Sequence, residues 1–214
     1  MSTRDRILDA ALQLFNTEGE ANVTAVDIAN ALSISPGNLY YHFKGKPSII
    51  EALFDRFEEE FLMVLNAPIS SSLSLDDNWV YTYILLEEIH DFEFFYKNLD
   101  SLLLQYPELR TRFRRILQRK EATVKSILET LRRSGHIDAA DTLIEALARH
   151  ITLTLTYHLN MEAIVAAGLS SKLQIHHTVY QIMCLICPFL GEHRQAMEQL
   201  MNAYYDDVLK RTPR

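Results

Sequence analysis

The sequence predicts an all-α protein in two parts: a three-helix helix-turn-helix unit over residues 1–47 and a larger helical domain over 48–214. Three observations carry this. Apolar residues recur at helical spacing nearly throughout, and the β-branched runs are too short to make a strand. Breakers such as Gly19, Pro36 and Pro47 fall where one helical pattern stops or the next starts. Of the 214 residues, 48% are apolar, enough for ordered cores.

The first helix spans residues 3–18, with Ile7, Ala11, Leu14 and Phe15 on one face and Gly19 as its stop. Thr24 and Asp27 have capping-box spacing, so a short helix starts there and ends near Leu32. Ser35 is the next N-cap, and Pro36 takes the first helical position, where its missing N–H costs nothing. Lys44-Gly45-Lys46 is a connector, and Pro47 opens a longer helix to about Leu65. The loop "NAPISSSLSLDDN" is the clearest soft boundary. Ser74 and Asp77 suggest a second capping box, starting one helix that runs through "WVYTYILLEEIHDFEFFYKNL". Further helices are expected at about 100–106, 108–134, 138–167, 171–190 and 192–210.

The stretch "ISPGNLYYHFKGKP" carries the chemistry. Two short helices joined at Leu32-Ser33-Ile34 and preceded by a bracing helix make a helix-turn-helix pattern. Leu39 and Phe43, four apart, point inward with Ile34; Pro36, Gly37, Asn38, Tyr40, Tyr41 and His42 face away. Small or hydrogen-bonding groups at the start of a recognition helix can approach base edges, as Pro36, Gly37 and Asn38 would. Tyr40, His42, Lys44, Lys46 and the Thr24 hydroxyl supply donors for phosphates, with Arg4 as a further cation nearby. Net charge is −7 and the pI about 5.6, which argues against coating nucleic acid by bulk charge. Up to Pro47 there are Arg4, Arg6, Lys44 and Lys46 against Asp5, Asp9, Glu18, Glu20 and Asp27, so phosphate contacts must be few and local.

The segment "ILDAALQLF…VTAVDIANALSISPGNLYYHFKGKPSIIEALFD" closely resembles the N-terminal DNA-binding domain of TetR-type transcriptional regulators, "LYYHFKGK" being its most specific part. The match covers about Arg4 to Asp55; beyond that the resemblance is one of architecture. It implies a homodimer that reads a palindromic double-stranded DNA operator, with a small molecule controlling affinity. By position, Thr24, Tyr40, Tyr41, His42 and Lys46 would contact the DNA backbone, while Ser35, Pro36, Gly37 and Asn38 would lie nearest the bases. One departure is Ser33, where many relatives carry glycine.

In the larger domain, Trp79, Tyr81, Tyr83, Phe92, Phe94, Phe95 and Tyr96 crowd one segment. His150, Thr154, Tyr157, His158 and Met161 form a helical stripe mixing imidazoles, hydroxyls and a thioether. An apolar pocket with a few orienting polar groups needs such a set, as does a core helix or a dimer seam. The expected effector site joins Tyr81, Leu85, His90, Phe94 and Phe113 to that stripe, for an apolar or amphiphilic ligand between residues 78–97 and 138–161. Residues 108–135 carry nine Lys/Arg, opposite in sign to the acidic segment 51–93. This reads as a solvated face beside acidic helices, or as a source of arginines for an anionic effector group. Helices over about 171–210, apolar on more than one face, suit a four-helix homodimer interface.

Other chemistries find less support. Glu87-Glu88-Ile89-His90 has the Glu-x-x-His spacing of di-metal bundles, but no second copy exists. Cys184 and Cys187 lie in an apolar helical run and read as small core residues, with a redox or metal role as the alternative. There is no Gly-rich phosphate loop and no local nucleophile motif, so no cofactor, metal or catalytic residue is expected. The competing reading is a helical ligand-binding or metal-dependent enzyme whose first helices are only structural. The N-terminus does not read as a signal peptide, no apolar run reaches membrane-spanning length, and no membrane partner is expected; a cytoplasmic protein is.

Overall fold

The computed structural model describes residues 1–67, 75–165 and 170–204, and every regular element in them is helical. Helix α1 (Thr3–Glu18) opens with a capping box between Ser2 and Asp5 and stops at Gly19, whose φ of +84° suits a residue without a Cβ. A 3₁₀ turn (Glu20–Asn22) leads to α2 (Ala25–Ala31), which the Thr24–Asp27 box opens. Helix α3 (Pro36–His42) follows, with Ser35 Oγ accepting from the Asn38 amide at 3.2 Å. Ile7, Ala11, Phe15, Ile28, Ala29, Leu39 and Phe43 bury together, while Leu14 and Ile34 are only half-buried. Enclosing a side chain such as Leu39 contributes about 1.5–3 kcal/mol.

The α2–α3 turn is a Schellman motif: the Ser33 amide donates to the Asn30 carbonyl and the Ile34 amide to the Ala29 carbonyl, both at 3.0 Å. Ser33 stands at the left-handed position of that motif, with φ +54°.

Helix α4 (Lys46–Leu65) packs against α1, and against α5 (Leu75–Asp91) and α8 (Pro107–Arg133) of the larger domain. The single helix expected through residue 98 is divided. Phe92 leaves helical geometry (φ −114°, ψ 37°) and α6 (Glu93–Lys97) starts afresh, followed by α7 (Leu99–Gln105). Phe92, Phe94, Phe95 and Tyr96 are all buried, and one straight helix cannot turn four residues in five to the same side. Asn16 of α1 holds the break: its amide donates to the Asp91 carbonyl at 2.9 Å and accepts from the Phe94 N–H at 3.1 Å. The expected Ser74 cap lies outside the described residues.

Helix α9 (Asp141–Val165) lies along α8 and packs on α6 and α10 (Ser171–Ile186). Pro188, which has no N–H to donate back into the helix, ends α10 four residues before the expected 190, through 3₁₀ turns at Cys187–Phe189 and Gly191–His193. Helix α11 (Arg194–Tyr204) follows, burying Met197 and Met201.

Candidate nucleic-acid interface

Leu39 and the C-cap Phe43 anchor α3, so its other side is left to solvent. Pro36, Gly37 and Asn38 are exposed at its N-terminal end. Tyr40 is 51% and Tyr41 85% exposed, high values for tyrosines beside a well-filled core. His42 is half-buried, its ring edge-on to Tyr41 at 5.1 Å, and Lys44 is exposed. Arg4 is exposed too, with its guanidinium 5.0 Å from the Phe43 ring centre, bracing α1 on α3 by a cation–π contact. Gly37 has an ordinary helical backbone, and a Cβ there would meet only Ser35 Oγ, at 3.9 Å. The fold does not need this glycine.

Two of the expected phosphate donors are engaged elsewhere. The Thr24 hydroxyl donates to the Asp27 carboxylate at 2.6 Å while accepting from the Asp27 amide at 3.2 Å, so its proton is already committed. The Thr24 hydroxyl and the Thr24 backbone N–H, both donating to the carboxylate, hold the Asp27 carboxyl below the usual range. Lys46 turns inward: its ammonium donates to the Glu20 carbonyl and lies 2.7 Å from the buried Glu20 carboxylate, an ion pair outside hydrogen-bond alignment. Sequence spacing gave no sign of Glu20 as the partner, because the contact closes only when α4 folds back on the 3₁₀ turn. Asp9 pairs with Arg56 at 2.7 Å, and Asp5 is tied into the α1 cap. Four of the five acidic residues of the first 47 thus have structural partners.

In the larger domain, α5, α8, α9 and α10 enclose an apolar cavity lined by Tyr81, Leu85, Val124, Leu128, Ile151, Leu155, Ile182 and Met183, among others. Its free space is about 40 Å³, against roughly 300–1,000 Å³ for a drug-sized ligand site. Burial pushes the Tyr81 hydroxyl up to about 12. Of the ten residues expected around an effector, Tyr81 and Leu85 line this cavity and eight lie elsewhere. Phe94 and Phe113 are core, part of the aromatic cluster where Phe57 meets Phe54, Phe61, Phe92, Phe95, Tyr96 and Phe113 at 5.3–6.5 Å. His90 and His158 form a buried pair, Nε2 to Nε2 at 3.4 Å, lowered by burial to about 4 and about 3. His150, Thr154, Tyr157 and Met161 lie on the outer side of α9, Tyr157 and Met161 exposed beside Leu153 and Ile164. The α8 and α10 lining was not foreseen, since its apolar spacing is the same as that of any buried helix.

Among the described residues no three His, Cys, Asp or Glu side chains converge as metal ligands would. Glu87 is exposed while His90 is buried, so the Glu-x-x-His pair does not share a site. Cys184 is exposed and Cys187 buried, both free; the former is not the core residue expected. The basic face of α8 meets the acidic helix: Arg112 bonds Glu58 and lies 2.7 Å from Asp55. No described helix is long and apolar enough to cross a membrane.

Comparison with known proteins agrees with this geometry. The profile described as "Bacterial regulatory proteins, tetR family" matches residues 7–53, and "Bacterial transcriptional repressor" (TetR) matches 56–197. A TetR-family transcriptional regulator of Marinobacter aquaeolei superimposes with a TM-score of 0.86 at 31% identity, covering 95% of this chain and 99% of that one. Among curated proteins, the biofilm operon negative regulator IcaR of Staphylococcus aureus is 34% identical over 109 residues, 49% of this chain and 55% of that protein. The regulator UidR of Escherichia coli is 37% identical over 67 residues, 31% of this chain and 34% of that protein. The chain thus spans about a third to just over half of these curated relatives. It belongs to the TetR family of bacterial transcriptional regulators.

Proposed function

We propose that the chain is a ligand-responsive repressor that binds a palindromic operator as a homodimer and releases it when a small apolar or amphiphilic effector binds. The observation that carries this is α3, held by Leu39 and Phe43 and presenting Gly37, Asn38, Tyr40 and Tyr41 to solvent. Residues 1–47 act as the reading head and 48–214 as the effector and dimerisation body. Ser35, Pro36, Gly37 and Asn38 approach the bases. Tyr40, Tyr41, His42, Lys44 and Arg4 contact phosphates. Thr24 and Lys46 take structural roles instead. Repression is supported by IcaR, a negative regulator by name.

The dimer face combines α10 with the outer side of α9. Leu153, Tyr157, Met161 and Ile164 form an apolar stripe there, exposed in one chain and suited to a symmetry mate. The effector enters between α5, α8, α9 and α10; the cavity is too small to admit it unless these helices part. Because α4 touches the body at α5 and α8 and the head at α1, that movement tilts the head. The two recognition helices then leave the one-turn spacing of about 34–36 Å that the operator requires. The effector must bind the two arrangements with different affinity to do so.

Selection of bound genomic fragments tests the reading. Enrichment of a two-fold symmetric sequence, lost in Asn38→Ala, supports it; enrichment of no sequence rejects it. Sedimentation at micromolar concentration should show a dimer, and Tyr157→Lys with Met161→Lys should give monomers.

A further inference from the structure

On the reading of the chain as an effector-controlled regulator, we propose that Lys120 is a buried carboxylate receptor, so that the effector is an apolar molecule bearing one carboxylate. Among the nine Lys/Arg of residues 108–135, Lys120 is fully enclosed, at 0% exposure, while the other eight reach solvent. Its ammonium donates to Thr156 Oγ1 at 3.3 Å and lies 5.1 Å from the ring centres of Phe61 and Tyr96. The Thr156 hydroxyl spends its own proton on the Thr152 carbonyl at 2.7 Å. An ammonium carries three protons, and among the described residues a single acceptor and two aromatic faces receive it. No carboxylate among the described residues pairs with it.

The surroundings favour an anion. Among the described residues the buried Tyr96 hydroxyl has no hydrogen-bond partner, and neither has the Thr152 hydroxyl one turn from Thr156. Buried polar groups are rarely left unpaired without a use. A carboxylate offers acceptors to such donors and a counter-charge to the ammonium, and charge-assisted bonds of this kind are the strong ones. Burial alone brings the Lys120 ammonium down to about 7, as expected for a cation lacking its partner.

The position also fits. Val124, one turn along α8 from Lys120, and Leu155, beside Thr156, line the apolar cavity. A tail in the cavity would therefore bring its carboxylate toward Lys120. Phe61 lies on α4 and Tyr96 on α6, the helices bonded to the head through Lys46–Glu20 and Phe94–Asn16. An anion drawn to Lys120 would rearrange the aromatic cage where these helices meet.

The test uses the full chain at pH 7 with decanoate and 4-phenylbutyrate, each against its alcohol, 1-decanol and 4-phenylbutanol. Binding is read by thermal melting and native mass spectrometry. The acids should bind wild type at one per chain and raise its melting temperature where the alcohols do not. Lys120→Met should weaken the acids by about tenfold or more and leave the alcohols unchanged. Equal binding of acid and alcohol, no binding of either acid, or full acid binding by Lys120→Met overturns the proposal. The comparison of acid with alcohol in wild type decides even if the variant does not fold. Operator capture by the ligand-free chain is scored separately. If it succeeds while the acids fail, the receptor is rejected and the regulator stands; if it fails, the regulator reading falls whatever the acids do.

Discussion

The Phe94 N–H donates to the Asn16 side-chain oxygen at 3.1 Å, joining residues 78 apart in sequence. The Asn16 side-chain nitrogen donates to the Asp91 carbonyl at 2.9 Å, so one side chain of α1 occupies both backbone groups freed where α5 gives way to α6. The Phe15 and Phe94 rings pack beside it at 5.2 Å. Head and body are thus bonded at α6 as well as joined through α4.

Asn16→Ala removes both bonds and should destabilise the chain by about 1–3 kcal/mol, read by chemical denaturation. Operator affinity without effector should change little, while the effector's influence on it should fall. An unchanged effector response would show that α4 alone transmits the signal.

Ser33 holds a left-handed conformation in the α2–α3 turn, at a cost that glycine avoids. Ser33→Gly should raise stability by about 0.5–1 kcal/mol, its gain partly offset by a freer unfolded chain. Ser33→Val, β-branched at the same φ, should lower it by about 1–2 kcal/mol. Thermal melting of the two variants checks the order.

Lys46→Met leaves the buried Glu20 carboxylate without its counter-ion and should cost about 1–3 kcal/mol. It should leave the salt dependence of operator binding unchanged, because Lys46 faces inward. Lys44→Met should do the reverse, keeping stability and reducing the log–log slope by about 2 for a dimer. With so few free cations, the wild-type slope should be shallower than about −10.

Lys120 has a folded pKa of about 7 against an ordinary 10.5. Between these values the unfolded chain carries a proton that the folded chain lacks, so this residue makes stability rise with pH across that window. Lys120→Met has no such proton to lose. Its stability advantage over wild type should be full at and below about pH 7 and shrink toward pH 10, measured by denaturant midpoints. On the acid side, His90 and His158 stay neutral when folded, so stability falls as pH drops from 6.5 toward about 4 for His90 and about 3 for His158. His90→Phe with His158→Leu should flatten that limb.

Local chemistry was legible in the sequence, and long-range closure was not. Thr24, Asp27, Ser35 and Pro36 mark their helix starts through neighbours no more than three residues away, and Leu39 and Phe43 declare their face by spacing. The break at Phe92 was invisible, since the amide that stabilises it comes from Asn16. Lys46 read as a phosphate donor until Glu20 was placed beside it. The stripe from His150 to Met161 has the spacing of a buried face, yet only His158 is enclosed; periodicity finds a face without telling what covers it. Lys120 was one cation among nine until packing singled it out.

Gly37→Ala tests the central claim, that α3 reads DNA, most directly. In a helix with open space around it, alanine should be neutral or stabilising by up to about 1 kcal/mol. At a base-edge contact the added methyl group should weaken binding to the selected operator by about tenfold or more, some 1–3 kcal/mol. Fluorescence anisotropy on that operator, paired with a melting curve, reads both. Weakened binding by a fully stable variant is the predicted result; wild-type operator affinity in Gly37→Ala would contradict the placement of α3 against the bases.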